Sequence, residues 1–333
     1  MMNAKEIYFK TIQFCWLKLL LGIVQIVIAG ILLAIFAGFA WLFSGKDSDG
    51  TAWVIMFFIW LGSLSIVSFF IKHYLGYLLK AGHVGVIALA FRDGVIPAEP
   101  FKEGVKLVKG RFVTSNVYFV IDKLVAGAVK QLQRVFGSIL DLFGKLPGVN
   151  NVKQLVNLFL NIALGYIDEC CLGWTFYNDK QNAYKSAADG VVIYAQNWKT
   201  LLKSAAVTTA IVIVACVLVW GVSFAIFGGL CKVLIPNAVF GKFVGAFLAL
   251  MLAYTIKYAF IDTWVMVNMM SSFLAVAPST QITFDLYGKL KGLSGKFGEL
   301  LKKGESEPNP VVPTPAPSEV PPPPPPAEPP LVP

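Results

Sequence analysis

The chain is 333 residues long, 56% hydrophobic and only 14% charged, with a mean hydropathy of +0.68 and a formal net charge of +9. Soluble domains are roughly 45–50% apolar and about 25% charged, so this composition excludes a water-soluble globular protein and points to an all-α, polytopic membrane bundle. Residues 304–333 hold four glutamates and no base, so the basic excess belongs to the membrane part.

Residues 19–43 form an uncharged apolar run of 25, enough to cross a hydrocarbon core of about 30 Å. This first span is too long for a signal-peptide core and lacks a small-residue cleavage site, so it is expected to be retained. A polar turn, Ser44 to Gly50, leads to the second span, 52–71. From Lys72 to Arg111 the sequence becomes mixed and basic, with Pro97 and Pro100 breaking any single helix. That segment is expected on the cytoplasmic surface.

Residues 112–140 show helical spacing interrupted by charge, and 155–177 is mostly apolar but contains Asp168 and Glu169. Residues 178–203 are amphipathic and basic, which predicts a helix lying at the membrane interface. Two further spans follow, 205–230 and 243–273. The second sits in a run of 35 residues, Phe243 to Ala277, broken only by Lys257 and Asp262. That run is about 52 Å long as a straight helix, so it must tilt, kink or project beyond the bilayer.

Lys and Arg concentrate at the start, in 72–111, in 178–203 and after residue 280. By the positive-inside rule these share the cytoplasmic side of an inner or plasma membrane, and both termini face it. Parity leaves two arrangements. Either both middle segments cross, giving six spans, or neither does, giving four spans with two interfacial or re-entrant helices. The apolar character of 155–177 favours six.

Small residues recur every fourth position at Gly30, Ala34 and Gly38, and at Gly241, Gly245, Ala249 and Ala253. Such seams let helices approach closely within one chain or between two copies. The first 303 residues are thus read as a membrane domain. Residues 304–333, with most of the chain's 19 prolines and six in a row, are read as a disordered tail tending to polyproline II. Such a rod is either a spacer or a ligand for a proline-recognition domain.

Chemistry-bearing residues are few. Five cysteines lie in or beside apolar runs and suggest no disulfide framework, and His73 and His83 give no metal-site spacing and are expected at the interface. No glycosylation sequon, phosphate loop, nucleophile elbow or histidine base occurs, so no enzyme, cofactor or nucleic-acid partner is implied. Ionisable residues within apolar segments are costly and usually face a cavity or a partner. Here they are Asp122, Lys123, Asp168, Glu169, Lys257 and Asp262. Tyr166 and Trp174 accompany Asp168, and Tyr258 and Trp264 accompany Asp262, a pairing of carboxylate and aromatic face suited to an organic cation. Alternatively the carboxylates pair with Lys180, Lys185 or Lys257 and only hold the bundle together. The recurring "YFVID", "GYID" and "YAFID" are compatible with a repeat relic of the kind transporters show.

The stretch "YIDECCLGWTFYNDKQNAYKSAADGVVIYAQNWKTLLKSAA", with Cys170, Cys171, Asn182, Ala183, Tyr184 and Asn197, resembles the C-terminal core of the choline transporter-like family. "YAFIDTWVMVNMM" is similar to that family's last span. The resemblance covers about residues 150–275. It implies transport of a small solute, with choline as the family's substrate. The chain departs from the family in lacking its extra N-terminal spans, its Cys-rich extracellular loop and its glycosylation sites. The rival expectations are a noncatalytic scaffold that presents the proline rod and, third, a lipid-modifying enzyme.

Overall fold

The computed structural model describes residues 3–44, 51–112, 120–131, 165–234 and 239–309. Among these every regular element is helical. In chain order they are α1 (Ala4–Lys10), α2 (Gln13–Ser44), α3 (Thr51–Phe70), a π-helical turn π1 (Ile71–Gly76), α4 (Tyr77–Asp93), α5 (Pro100–Phe112), α6 (120–131) and α7 (Ile167–Tyr177). Then come α8 (Ala183–Gln196), α9 (Trp198–Leu234), α10 (Val239–Ile256), a second π-helical turn π2 (Lys257–Ile261), α11 (Asp262–Val276), α12 (Phe284–Leu293) and α13 (Gly295–Ser306).

The described residues contain four helices long and apolar enough to cross a membrane: Gln13–Phe43, Trp53–Asp93, Lys203–Gly229 and Gly245–Ser279. Large exposed apolar side chains concentrate on α2, α3, α9 and α10, including Ile31, Trp41, Phe58, Val217 and Tyr254. In water such a belt would be untenable; against acyl chains it costs nothing. The main buried core lies in the other helices, where Val84, Ile87, Cys171, Val192, Met269 and Phe273 pack together. The molecule therefore has two parts, an apolar-faced bundle and a helical domain at one end of it.

Two helical runs join the parts without a loop. α3 passes through π1 into α4, and α10 passes through π2 into α11. This bears on the excess length of the run from Phe243: its second half is covered by the other helices of the domain. The same geometry corrects the surface reading of 72–111, because Ala81 to Ala90 are buried throughout α4. The break at Pro97 and Pro100 is real. Gly94 ends α4 in the left-handed conformation (φ 72°) that glycine adopts without a Cβ penalty, and α5 starts at Pro100.

Other expectations also change. α8 is not an interfacial helix with one wet face: Ser186 to Tyr194 are all buried, packed against α7 and α13. Its charged residues are Lys185, exposed near the N-terminal end, and Asp189, buried mid-helix, and the rest folds into the domain core. His83 is fully buried rather than interfacial, 2.8 Å from the Thr11 hydroxyl and stacked on Phe14. In the first small-residue seam, Gly30, Ala34 and Gly38 face outward, and a Cβ at either glycine would meet nothing within 4 Å. α2 instead meets α3 through Trp60, whose indole donates to the Ala29 carbonyl at 2.9 Å. Gly245, Ala249 and Ala253 of the second seam are buried.

Of the middle segments expected to span, 120–131 and 165–177 are described. α6 is amphipathic, burying Ile121, Leu124, Val125, Ala128 and Val129, and α7 is buried among α4, α8 and α11. The rest of 112–140 and of 155–177, and the tail from 310, lie outside the described residues. The boundary drawn at 303/304 falls inside α13, where Gly304 is packed so closely on α8 that an added Cβ would lie 2.9 Å from the Lys185 backbone.

Candidate functional site

The charged residues singled out from the sequence converge where the apolar bundle meets the helical domain. Lys80, on α4 just past π1, places its Nζ 3.0 Å from Asp122 Oδ1 on α6, 3.3 Å from Asp168 Oδ2 and 3.4 Å from Glu169 Oε1 on α7. These four side chains are 11–21% exposed. Three carboxyl groups thus surround one ammonium in a poorly solvated place, more acidic groups than a simple ion pair needs.

The second ion pair, Lys257 Nζ to Asp262 Oδ1 at 2.6 Å, spans π2. Residues five apart do not face each other on an α-helix. Here the Asp262 amide donates to the Lys257 carbonyl, the i to i+5 bond of a π turn, and that widening brings the two side chains to one face. π1 and π2 also touch: a Cβ on Gly76 would lie 3.2 Å from the Tyr258 hydroxyl, so glycine at 76 makes room for that phenol. Lys18 from α2 completes the group. Buried, it donates to Thr263 Oγ1 at 2.8 Å and sits 5.5 Å from the centre of the Tyr258 ring.

Asp122, Asp168, Glu169, Lys257 and Asp262 are therefore brought together, and Tyr166 and Tyr258 lie within electrostatic reach of them. Trp174 and Trp264 do not join as aromatic walls. Trp174 stacks on Tyr177 with ring centres 5.2 Å apart, and Trp264 packs edge-on against Tyr8 at 5.1 Å. The partners suggested for Asp168 and Glu169, Lys180 and Lys185, are replaced by Lys80. Sequence reasoning missed Lys80 and Lys18 because both were counted as basic flanks. The available signal was that each lies within a helical run of apolar neighbours.

The resemblance positions serve a different purpose. Asn182 caps α8 by accepting from the Lys185 amide at 2.8 Å, while its Nδ2 donates to the Gly304 carbonyl at 2.7 Å and to the Glu307 carbonyl at 3.0 Å. One side chain thus satisfies an α8 donor and acceptors at the end of α13. Asn197 closes the other end of α8, donating to Ile193 O and to Thr280 Oγ1, each at 2.9 Å. Tyr184 is buried, with Lys303 Nζ 5.3 Å from its ring centre, and Ala183 begins the helix. Beside them, burial pushes the Asp189 carboxyl up to about 6, partly offset by the Gln181 amide that donates to it at 3.0 Å and by Lys185.

Among the described residues no group of three His, Cys, Asp or Glu side chains is arranged to hold a metal ion. No family model, curated protein or solved structure matches the chain.

Proposed function

We propose that this is a transporter-like membrane protein that crosses the bilayer four times, with the helical domain and both termini in the cytoplasm, and that it moves a small organic cation, choline being the candidate suggested by the resemblance. The observation that carries this reading is the Lys80 cluster: one ammonium among three carboxylates, between two π-helical turns, at the end of the membrane bundle. Buried carboxylates in excess of their resident cations form a site for another cation. Lys80 occupies it in this conformation. A substrate ammonium takes over Asp122, Asp168 and Glu169 as Lys80 withdraws, and Tyr166 and Tyr258 supply aromatic faces worth about 0.5–2 kcal/mol to a quaternary ammonium. π turns are frequent at functional sites, and adding or removing one rotates the helix beyond it. Here that would couple substrate exchange to the relation between bundle and domain.

Uptake of labelled choline and of a neutral isostere into proteoliposomes, with melting temperatures measured on the same preparations, tests the reading. Asp168→Asn and Asp262→Asn should abolish cation-dependent stabilisation and uptake while the apo protein stays folded. Uptake unchanged in both variants, or no discrimination between cation and isostere, would sink it. A second reading, a noncatalytic scaffold, draws on the tie between Asn182 and the end of α13, which gives the following proline-rich segment a fixed point of departure.

A further inference from the structure

We propose that the membrane bundle holds a fatty acid, with its acyl chain in the cleft between α2, α3 and α10 and its carboxylate on Lys18. The cleft has a volume of about 400 Å³ and is lined by Leu64, Phe247 and Met251 together with Gln25, Tyr254 and Thr255. Those last three also line a cavity of about 30 Å³ that Lys18 borders, so the two spaces adjoin. The chemistry changes along that path. Hydrocarbon walls give way to an amide and hydroxyls, with Gln25 donating to Ser68, and then to a buried ammonium.

Lys18 is 4% exposed and donates one hydrogen bond, to Thr263 Oγ1. An ammonium has three N–H donors, so two have no acceptor among the described residues. Among the described residues no carboxylate lies within 4.0 Å of it; Glu169 and Asp262, which act on it at longer range, are held by Lys80 and Lys257. A buried ammonium with unfilled donors is expensive, and Lys18 borders the cavity. One carboxylate supplies acceptors for both donors. The small volume there admits the two oxygens of a carboxylate but not the glycerol and phosphate of a lysophospholipid. An acyl chain meanwhile fills a cleft whose size lies in the range of small-molecule sites. This site adjoins the proposed cation site, with Tyr258 bordering both, and the preference for acid over ester is read without any organic cation present, so either reading can fail alone.

Thermal unfolding of the full chain in a detergent without a carboxylate, titrated with oleic acid, its methyl ester and oleoyl lysophosphatidic acid, decides the matter. The acid should raise the melting temperature at lower concentration than either comparator. Lys18→Met should erase the difference between acid and ester, and Ser68→Phe, which fills the cleft and leaves Lys18 in place, should weaken the acid about tenfold or more. Equal effects of acid and ester on the native chain would mean partitioning only and overturn the proposal. So would a preference for acid that survives Lys18→Met, or tighter binding of the phosphate. If Lys18→Met does not fold, the native comparison and Ser68→Phe still decide.

Discussion

Lys80 holds together three helices that share no sequence proximity, and its replacement tests how much the cluster depends on it. Lys80→Met leaves Asp122, Asp168 and Glu169 without a cation, and breaking a buried pair costs roughly 3–5 kcal/mol. Adding Asp168→Asn should restore part of that loss, because it removes one of the stranded charges; chemical denaturation of both single variants and the double variant gives the coupling. Asp168→Asn alone should cost little, since two carboxylates still hold Lys80. Asp189 offers a test of opposite sense. Its folded value, about 6, is above the ordinary 3.8, so the folded chain keeps the proton more tightly than the unfolded one. Below about pH 4 both states are protonated and the site costs nothing. Between pH 4 and 6 the penalty grows, and above it the ionised carboxylate opposes folding by about 3 kcal/mol. Asp189→Asn should therefore raise the melting temperature at pH 7.5, with the advantage gone by pH 4.

At the scale of elements, α8 and α13 depend on one asparagine. Asn182→Asp keeps the acceptor that caps α8 but loses both donors to the end of α13 and sets a carboxylate against the Gly304 and Glu307 carbonyls. It should destabilise by about 1–3 kcal/mol, with hydrogen exchange accelerated across 295–306 more than across 183–196. Equal acceleration of both helices would mean that the cap, not the tie, matters. Within the bundle, α2 and α10 approach so closely that a Cβ on Gly22 would collide with Thr255 Cγ2, in a β-branched side chain with little room to turn. Gly22→Ala should cost about 1–3 kcal/mol as overpacking, and Thr255→Ser in the same chain should recover most of it.

For the whole molecule, contacts bring α1, α8 and the end of α13 into the same helical domain. α1 packs on α11, and Asn309 accepts from the Asn182 amide at 3.0 Å. A cysteine introduced at Lys199 in a cysteine-free background should therefore be labelled from the same side as one introduced at Lys5, and reaction from opposite sides would break the four-crossing topology. Truncation after Asn309 should leave the melting temperature unchanged, because the proline-rich sequence beyond it has no apolar periodicity to bury. Truncation after Ser294 should not be tolerated, since it removes the fully buried Phe297 and Leu300.

Hydropathy was sufficient to specify helices, and stretches long and apolar enough to cross a membrane within 19–43, 52–71 and 205–230, because these follow from transfer energies that each stretch carries by itself. It also singled out Asp122, Asp168, Glu169, Lys257 and Asp262, since an ionisable group in an apolar run is conspicuous wherever it folds. What those groups pair with was decided only by the tertiary structure. Lys80 is 42 residues from Asp122 and 88 from Asp168, and Lys18 is 245 from Thr263. Burial of α4, α7 and α8 was likewise beyond local reading, because an apolar helix covered by protein and one covered by lipid have the same composition. The two π turns belong to the same category: their backbone carries no residue signature, and they are stabilised by what meets there, Gly76 beneath Tyr258 and Lys257 beside Asp262.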